Sequence, residues 1–328
     1  MDLFKLLYPD SQIVQIVFNR DNFNSIFPSH LIGYNLGYPF SMINHLMPNL
    51  IFGKGATNFN KGTDLIHYTS HTFHPMIQNE KSVVTIHDLF AFEGIGKDAF
   101  TRLASMNIRR NTRRYVKFQN ILTASNHIKN KLVSNFNVNE DSISVINIAI
   151  SDYFHSKTDN AKSKYELTLP ANKKLVLSVS SGYRRKNLPM VEAVMTKLGS
   201  DFQLVRVGPK VGDSITFGAV DGDTLNKIYN ACDVLLFPTL AEGFGLVTTE
   251  SFATGLPVVS SDIEVIREVA GDSAVLVDPL DVDQNVEGIL KAIENKEYYR
   301  RKGFERAKLF SRDTIKEQLI RYYRTILE

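Results

Sequence analysis

With 328 residues, 43% of them apolar and 22% charged, the chain has the composition of an ordinary globular protein and enough length for two cores. The single cysteine, Cys232, excludes an intrachain disulfide; set just before an apolar run, it reads as a buried, inert thiol. The net charge of +3 is too small to argue for nucleic acid, and no apolar run of about 18 residues signals a membrane span.

The charge is uneven. Residues 1–150 carry 14 Lys and Arg against 10 Asp and Glu. Within 97–131, nine basic residues (Lys97, Arg102, Arg109, Arg110, Arg113, Arg114, Lys117, Lys129, Lys131) face one acid, Asp98. The N-terminus, Met1-Asp2-Leu3-Phe4-Lys5, lacks the charged and then apolar regions of a leader. A reducing, cytoplasmic compartment is the expectation.

In chain order, a short helix is expected over Leu3–Leu7 and a strand over Ile13–Phe18. Residues 21–60, rich in Asn, Pro, Gly and aromatics, predict no clear element. Strands follow at Asp64–Tyr68 and Ser82–Asp88, the second β-branched and ending polar. Residues 98–118 read as a helix, Gln119–Ala124 as a strand, and Asn126–Asn135 as a helix capped by Ser125. Ser144–Ile148 is the next strand. Residues 156–172, dominated by Lys, Ser, Asn and Thr, mark a linker between a domain over 1–155 and a second over 173–311. There the pattern restarts: strand Leu175–Ser180, helix Leu188–Leu198, strand Phe202–Val207, short strand Thr216–Val220 and helix Asp223–Asn230 with Asp223 as N-cap. Strand Asp233–Phe237, a short helix ending at Gly255, and apolar Leu256–Ser260 come next, then helix Ile263–Val269, strand Ala274–Val277 and helix Val286–Ile293. Residues 312–328 form an amphipathic helix with Ile315, Leu319, Tyr322 or Tyr323, and Ile326 on one side. Strand–helix alternation predicts α/β architecture: parallel sheets covered on both faces, with ligands beyond the strand C-termini.

The most informative stretch is Glu242-Gly243-Phe244-Gly245-Leu246-Val247-Thr248-Thr249-Glu250. It is a strand-to-helix turn whose glycines permit close backbone approach and whose helix start favours an anion. Each Glu alone reads as a solvated charge. Together, two carboxylates beside an anion site call for another ligand, and sugar hydroxyls suit them. Arg184-Arg185-Lys186-Asn187 sits at a strand C-terminus, where cations can clamp a diphosphate; alone it reads as a basic turn. His87 ends a strand in "VVTIHDLF", either pointing into a cleft or capping a carbonyl. His67, His71 and His74 have spacings a metal site tolerates on a helix, but Pro75 argues against that helix and an acceptor-side loop is preferred. The Arg102–Lys117 helix reads equally as a solvated face or as a contact for anionic lipid headgroups. Neither GxGxxG after an early strand nor GxxxxGK[ST] occurs, which argues against nicotinamide and P-loop chemistry.

The run "EGFGLVTTESFATGLPVVSSDIEVIREVAGDSAVLVDP", with "RKN" and "TIHDL", resembles the retaining glycosyltransferases of family 4, the glycosyl transferases group 1. The resemblance covers about residues 64–328. It implies the GT-B fold: two Rossmann-like doubly wound domains facing a cleft, with the 312–328 helix crossing back to the N-terminal domain. It implies a hexose moved from a nucleoside diphosphate sugar to a hydroxyl of a glycan or lipid-linked acceptor, with retention; the look of the "RKN" and "EGFGL" stretches suggests mannose from GDP-mannose. Glu242 would bind donor-sugar hydroxyls and Glu250 the ribose. Arg185 or Arg184 with Lys186 would neutralise the diphosphate, and backbone around Gly243, Phe244, Gly245 and Leu246 would face sugar and phosphate. His87 would lie beside the donor sugar. No cofactor beyond the donor and no metal is implied. The chain departs from the family pattern in the position of the glycine before the basic turn, shifted to Gly182, and at its start, where the usual first strand and Gly-rich loop have no evident counterpart; Gly33–Gly37 is not a substitute. A non-catalytic sugar-nucleotide- or partner-binding relative is the competing class, and an epimerase of the same architecture a weaker third.

Overall fold

The computed structural model describes residues 13–15, 65–72, 80–92, 99–157 and 160–328. The expected Leu3–Leu7 helix, most of the Ile13–Phe18 strand, the Gly33–Gly37 stretch and His74 lie outside them. The chain divides into two compact units, Met1–Ile146 with Glu317–Glu328, and Asn147–Lys316.

The first unit is a parallel five-stranded sheet in the order β1 (Ile13–Gln15), β2 (Leu65–Tyr68), β3 (Ser82–Ile86), β4 (Asn120–Thr123), β5 (Ile143–Val145). Helix α1 is Ala99–Tyr115 and α2 is Asn126–Phe136. Alternation along each strand sends neighbouring side chains to opposite faces. Ile66, Tyr68, Val84, Ile86 and Ile121 pack with Tyr115, Ile128 and Leu132 on one face. Leu65, Val83 and Leu122 pack with Tyr323 on the other. Ser125 caps α2 as expected, accepting from the Ile128 N–H, and Asn137 closes it in the left-handed region.

The second unit is a parallel six-stranded sheet in the order β11-β10-β9-β6-β7-β8. In chain order it runs α3 (Asn160–Glu166), β6 (Lys174–Val179), α4 (Leu188–Leu198), β7 (Phe202–Val207), β8 (Ile215–Phe217), α5 (Gly222–Ala231), β9 (Val234–Phe237), α6 (Leu246–Thr254), β10 (Val258–Ser261), α7 (Glu264–Ala270), β11 (Val275–Val277), α8 (Val282–Glu294), α9 (Lys296–Ala307). The last helix, α10 (Arg312–Leu327), leaves this unit and lays Tyr323 on the first sheet, as the family resemblance implied. The central strands are fully buried, which is why they read as continuous apolar runs. Val176, Val234, Leu236 and Val259 pack with Val191, Val194 and Ile289 on one face. Leu177, Val205, Leu235 and Phe237 pack with Ile228, Phe252 and Ile266 on the other. Strand order reverses between β6 and β9, so a crevice opens at their C-terminal ends.

Three expectations change. Segment 156–172 contains α3, and Leu169 joins the core, so it is not a bare linker. Asp221, not Asp223, caps α5: its carboxylate accepts from the Thr224 N–H at 2.7 Å, while Asp223 already lies in the first turn. Helix α9, not anticipated, has the strongly polar sequence KEYYRRKGFERA; it packs on α6, with Gly303 against Phe252.

Candidate functional site

The loop from β9 to α6 carries the central motif to the crevice. Glu242 is buried, 8% exposed. Its Oε1 receives Lys186 Nζ at 2.5 Å and Arg185 Nη1 at 3.1 Å, with the Thr239 hydroxyl at 2.8 Å. The two loops are tied at the backbone as well, since the Leu240 N–H donates to Arg185 O at 2.7 Å. Arg185 also donates to Ala241 O at 3.2 Å, and Lys186 Nζ sits 5.1 Å from the Phe237 ring centroid. Arg184 is exposed. Of the two arginines left open by the sequence, Arg185 is therefore the one that converges with Lys186. Burial lowers the Lys186 pKa; Glu242 opposes that shift and Arg185 adds to it.

Phe244 is buried and meets Phe310 edge-to-face at 5.5 Å, so the side chain anchors the loop from behind. Gly245 adopts φ +100, and a Cβ there would lie 2.8 Å from Ile266 Cδ1. Conformation and space both require glycine at this N-cap. Leu246 opens α6 partly exposed, beside the helix start. Gly243, between Glu242 and Phe244, is buried. Glu250, one turn inside α6, is half-buried. Burial raises its pKa, and a 2.7 Å hydrogen bond from the Tyr229 hydroxyl works the other way. Tyr229 is fully buried and edge-on to Phe154. The two carboxylates thus have different surroundings: Glu242 is held by cations, Glu250 by a phenol.

His87 ends the third strand of the first unit. Its Nε2 lies 2.9 Å from Thr69 O, so that nitrogen carries a proton and donates to the carbonyl. The carbonyl-capping alternative thus describes one of its nitrogens. His67 is buried with both nitrogens engaged, Nδ1 with Tyr323 Oη at 2.5 Å and Nε2 with Thr85 Oγ1 at 2.7 Å. Burial, and then the nearby His87, lower its pKa to about 4. The same causes take His71 to about 3, and His71 Nδ1 is buried without a partner. With both His67 nitrogens taken, the His67/His71 pair is a poor metal site; no group of three or more metal-ligating side chains occurs among the described residues.

Along α1 the arginines do not share one face. Arg109 donates from Nε to Ala91 O at 2.5 Å and covers Phe92. Arg114 is half-buried, with Nη1 enclosed and unpartnered. Arg110, Arg113 and Lys117 are exposed, in line with the exposed Met106. Arg102 lies where side chains are outside the described set. Among the described residues, no helix is long and apolar enough to cross a membrane.

Sequence reasoning passed over Thr239, Tyr229 and Arg206. Thr239 and Tyr229 are uncharged and sit beside strands, with no local pattern to single them out. Arg206 offered a signal: a charged residue inside the apolar strand Phe202–Val207.

Residues 159–308 match the family described as glycosyl transferases group 1. The O-antigen chain mannosyltransferase RfbU of Salmonella typhimurium is 29% identical over 249 residues, 70% of this chain and 65% of that protein. The O-antigen chain mannosyltransferase B of Escherichia coli is 33% identical over 128 residues, 38% of this chain and 34% of that protein. The matches thus span less than two thirds of either relative. Among solved structures, the sucrose-phosphate synthase of Thermosynechococcus elongatus superposes with a TM-score of 0.76 at 20% identity, covering 96% of this chain and 88% of that one. The family match falls in the second unit and covers under half of the chain, the mannosyltransferases are similar over part of their length, and the structural likeness with the two parallel sheets gives the chain the GT-B fold.

Proposed function

We propose that the chain is a retaining hexosyltransferase that moves mannose from GDP-mannose to a hydroxyl of a glycan or lipid-linked acceptor. The observation that carries this reading is the convergence of Arg185 and Lys186 on Glu242 beside the start of α6. The choice of mannose leans on the relatives' names.

The chemistry follows from the groups. Three donors crowd Glu242 Oε1, which leaves Oε2 to accept from sugar hydroxyls. An arriving diphosphate offers Arg185 and Lys186 a second anion, and the N–H groups opening α6 add donors that need no reorganisation. As the glycosidic bond breaks, charge moves onto the diphosphate while the sugar gains oxocarbenium character. Lys186 and Arg185 stabilise the first change and Glu242 the second. A diphosphate oxygen takes the acceptor proton, so the scheme needs neither a protein base nor a covalent nucleophile, and a metal is not among its parts. Glu250 accepts from the ribose hydroxyls, and His87 offers Nδ1 to a hydroxyl of the donor sugar. The exposed Arg110 and Arg113 of α1, with Met106 and with Lys117 just beyond the helix, form the surface we assign to an anionic membrane face on the cytoplasmic side.

The test uses the purified chain. A thermal-shift series with GDP-, UDP- and ADP-sugars should single out GDP-mannose, and the shift should vanish in Glu250→Ala. Transfer from, or slow hydrolysis of, the selected donor should be lost in Glu242→Gln and Lys186→Met. Near-normal turnover in either variant overturns the mechanism. Binding without turnover in the wild type favours the non-catalytic class. For the membrane face, flotation with vesicles holding phosphatidylglycerol should fall when Arg110 and Arg113 become Gln; unchanged flotation removes that assignment.

A further inference from the structure

Arg206 heads the fully buried side chains among the described residues and is 0% exposed. It stands in β7, and its guanidinium crosses to the end of β6. There Nη1 donates to Ser178 O at 2.7 Å and to Val207 O at 2.6 Å. Nη2 donates to Ser180 O at 2.6 Å and to Ser180 Oγ at 2.9 Å. Nε is buried without a partner. Burial alone lowers the pKa, to about 10, and no carboxylate contributes. The group is therefore a buried cation held by three carbonyl dipoles and one hydroxyl, without a carboxylate. A fold that carries such a charge carries a destabilising element before its hydrogen bonds are counted.

Position gives it a use. Strand β6 borders the point where strand order reverses, and the turn that follows it, 180–186, leads to Arg185 and Lys186. Arginine has no acceptor, so Ser180 Oγ must accept from Nη2 and turn its own hydrogen elsewhere. Ser180 is half-buried, and among the described residues that hydrogen has no acceptor. A hydroxyl that already accepts from a cation is also a stronger donor. The placement is rigid. Gly208 follows β7 at φ +123, and a Cβ there would lie 2.1 Å from Ser180 O. The close approach of the two strand ends requires that glycine.

We infer that the Ser180 hydroxyl, oriented by Arg206, is a further donor to the phosphate oxygens of a nucleoside diphosphate bound at this crevice. Arg206 is a positioning residue and a buried positive charge behind the same phosphates. The inference rests on the nucleotide-sugar reading above, so its test is arranged to separate the two.

The probe is whichever of GDP, UDP and ADP raises the wild-type melting temperature, and its affinity is measured by calorimetry. Ser180→Ala should weaken binding about tenfold, and Ser180→Thr should restore it to within about threefold. Arg206→Lys keeps a charge but loses the fork that reaches Ser180. It should weaken binding, and the double variant with Ser180→Ala should be no weaker than Arg206→Lys alone. A purely structural arginine would give multiplicative losses and no rescue by threonine, and that result overturns the inference. So does wild-type affinity in Ser180→Ala. Should Arg206→Lys fail to fold, the Ala and Thr pair at Ser180 decides the matter alone. Should the wild type bind none of the three diphosphates, the nucleotide-sugar reading fails and this inference falls with it.

Discussion

The strand tips of the two sheets carry polar clusters of opposite design. In the second unit Lys186 and Arg185 both pair with the one Glu242 carboxylate. In the first unit His67 and His71 are kept uncharged by burial, and His87 is tied to a backbone carbonyl. One tip stores charge that an incoming anion can redistribute. The other buries uncharged imidazoles, His67 with both ring nitrogens already engaged inside the fold. The difference is physical rather than topological, because both tips end parallel, doubly covered sheets. Similar scaffolds thus carry a cluster of ion pairs in one case and a cluster of histidines in the other by changing which side chains follow the strands.

The sharpest way to break the comparison is to unbalance the charged tip. Glu242→Gln leaves Lys186 and Arg185 side by side, both largely buried. We expect at least a hundredfold loss of turnover, about 3 kcal/mol of transition-state stabilisation. Stability should fall too, because an uncompensated buried charge costs more than the missing pair contributed. Lys186→Met in the same chain should therefore recover part of the lost denaturation midpoint, though none of the activity. If the two losses of stability simply add, the groups are not coupled and the charged tip is not the unit described here.

Acid is the equivalent stress for the neutral tip. His67 titrates near 4 in the fold and near 6.5 unfolded, so the unfolded chain binds the proton more tightly. Its contribution is intact above pH 6.5 and is lost as pH falls from 6.5 toward 4. The loss at the lower end is about 3 kcal/mol, on the scale of 1.36 kcal/mol per pH unit. His71 acts in the same direction. Urea midpoints at pH 7 and pH 4.5, followed by circular dichroism because the chain has no Trp, should show the drop. His67→Gln should make it shallower. An equally steep drop in that variant would place the acid sensitivity elsewhere.

The same contrast explains what could be read in the sequence. The charged tip was legible because its parts are local: a Glu pair with seven residues between, a basic turn after a strand, and glycines where the backbone must turn. The central strands of the second unit, β6, β9 and β10, also showed, since burial on both faces writes a largely apolar run. The neutral tip was legible only at His87. His67 depends on Tyr323, 256 residues away, and that partnership exists only because α10 returns to the first sheet. Arg206 and Tyr229 act across neighbouring elements, so their roles appear only once strand order is known. Helix α9 escaped notice because its strongly polar sequence hides the side that packs on α6.

Two smaller tests sharpen the charged tip. Gly245→Ala meets an unfavourable φ and a contact 2.8 Å from Ile266 Cδ1. We expect a loss of about 1–3 kcal/mol from backbone strain and overpacking. Ile266→Val in addition should relieve the contact but not the strain, so recovery should be partial. Full recovery would mean that packing alone fixes the glycine.

Tyr229→Phe should have the smallest effect and is the most specific. The phenol gives Glu250 its 2.7 Å hydrogen bond, which counteracts the upward shift imposed by burial. Removing it should raise the Glu250 pKa further and cost about 1 kcal/mol of donor affinity near neutral pH, as a single hydrogen bond to a charged group would. Protonated Glu250 accepts less well from ribose hydroxyls, so the deficit should widen as pH falls toward the carboxylate range and shrink as pH rises. A deficit constant with pH would show that Tyr229 supports Glu250 by packing, through its edge-on contact with Phe154, and not by tuning its charge.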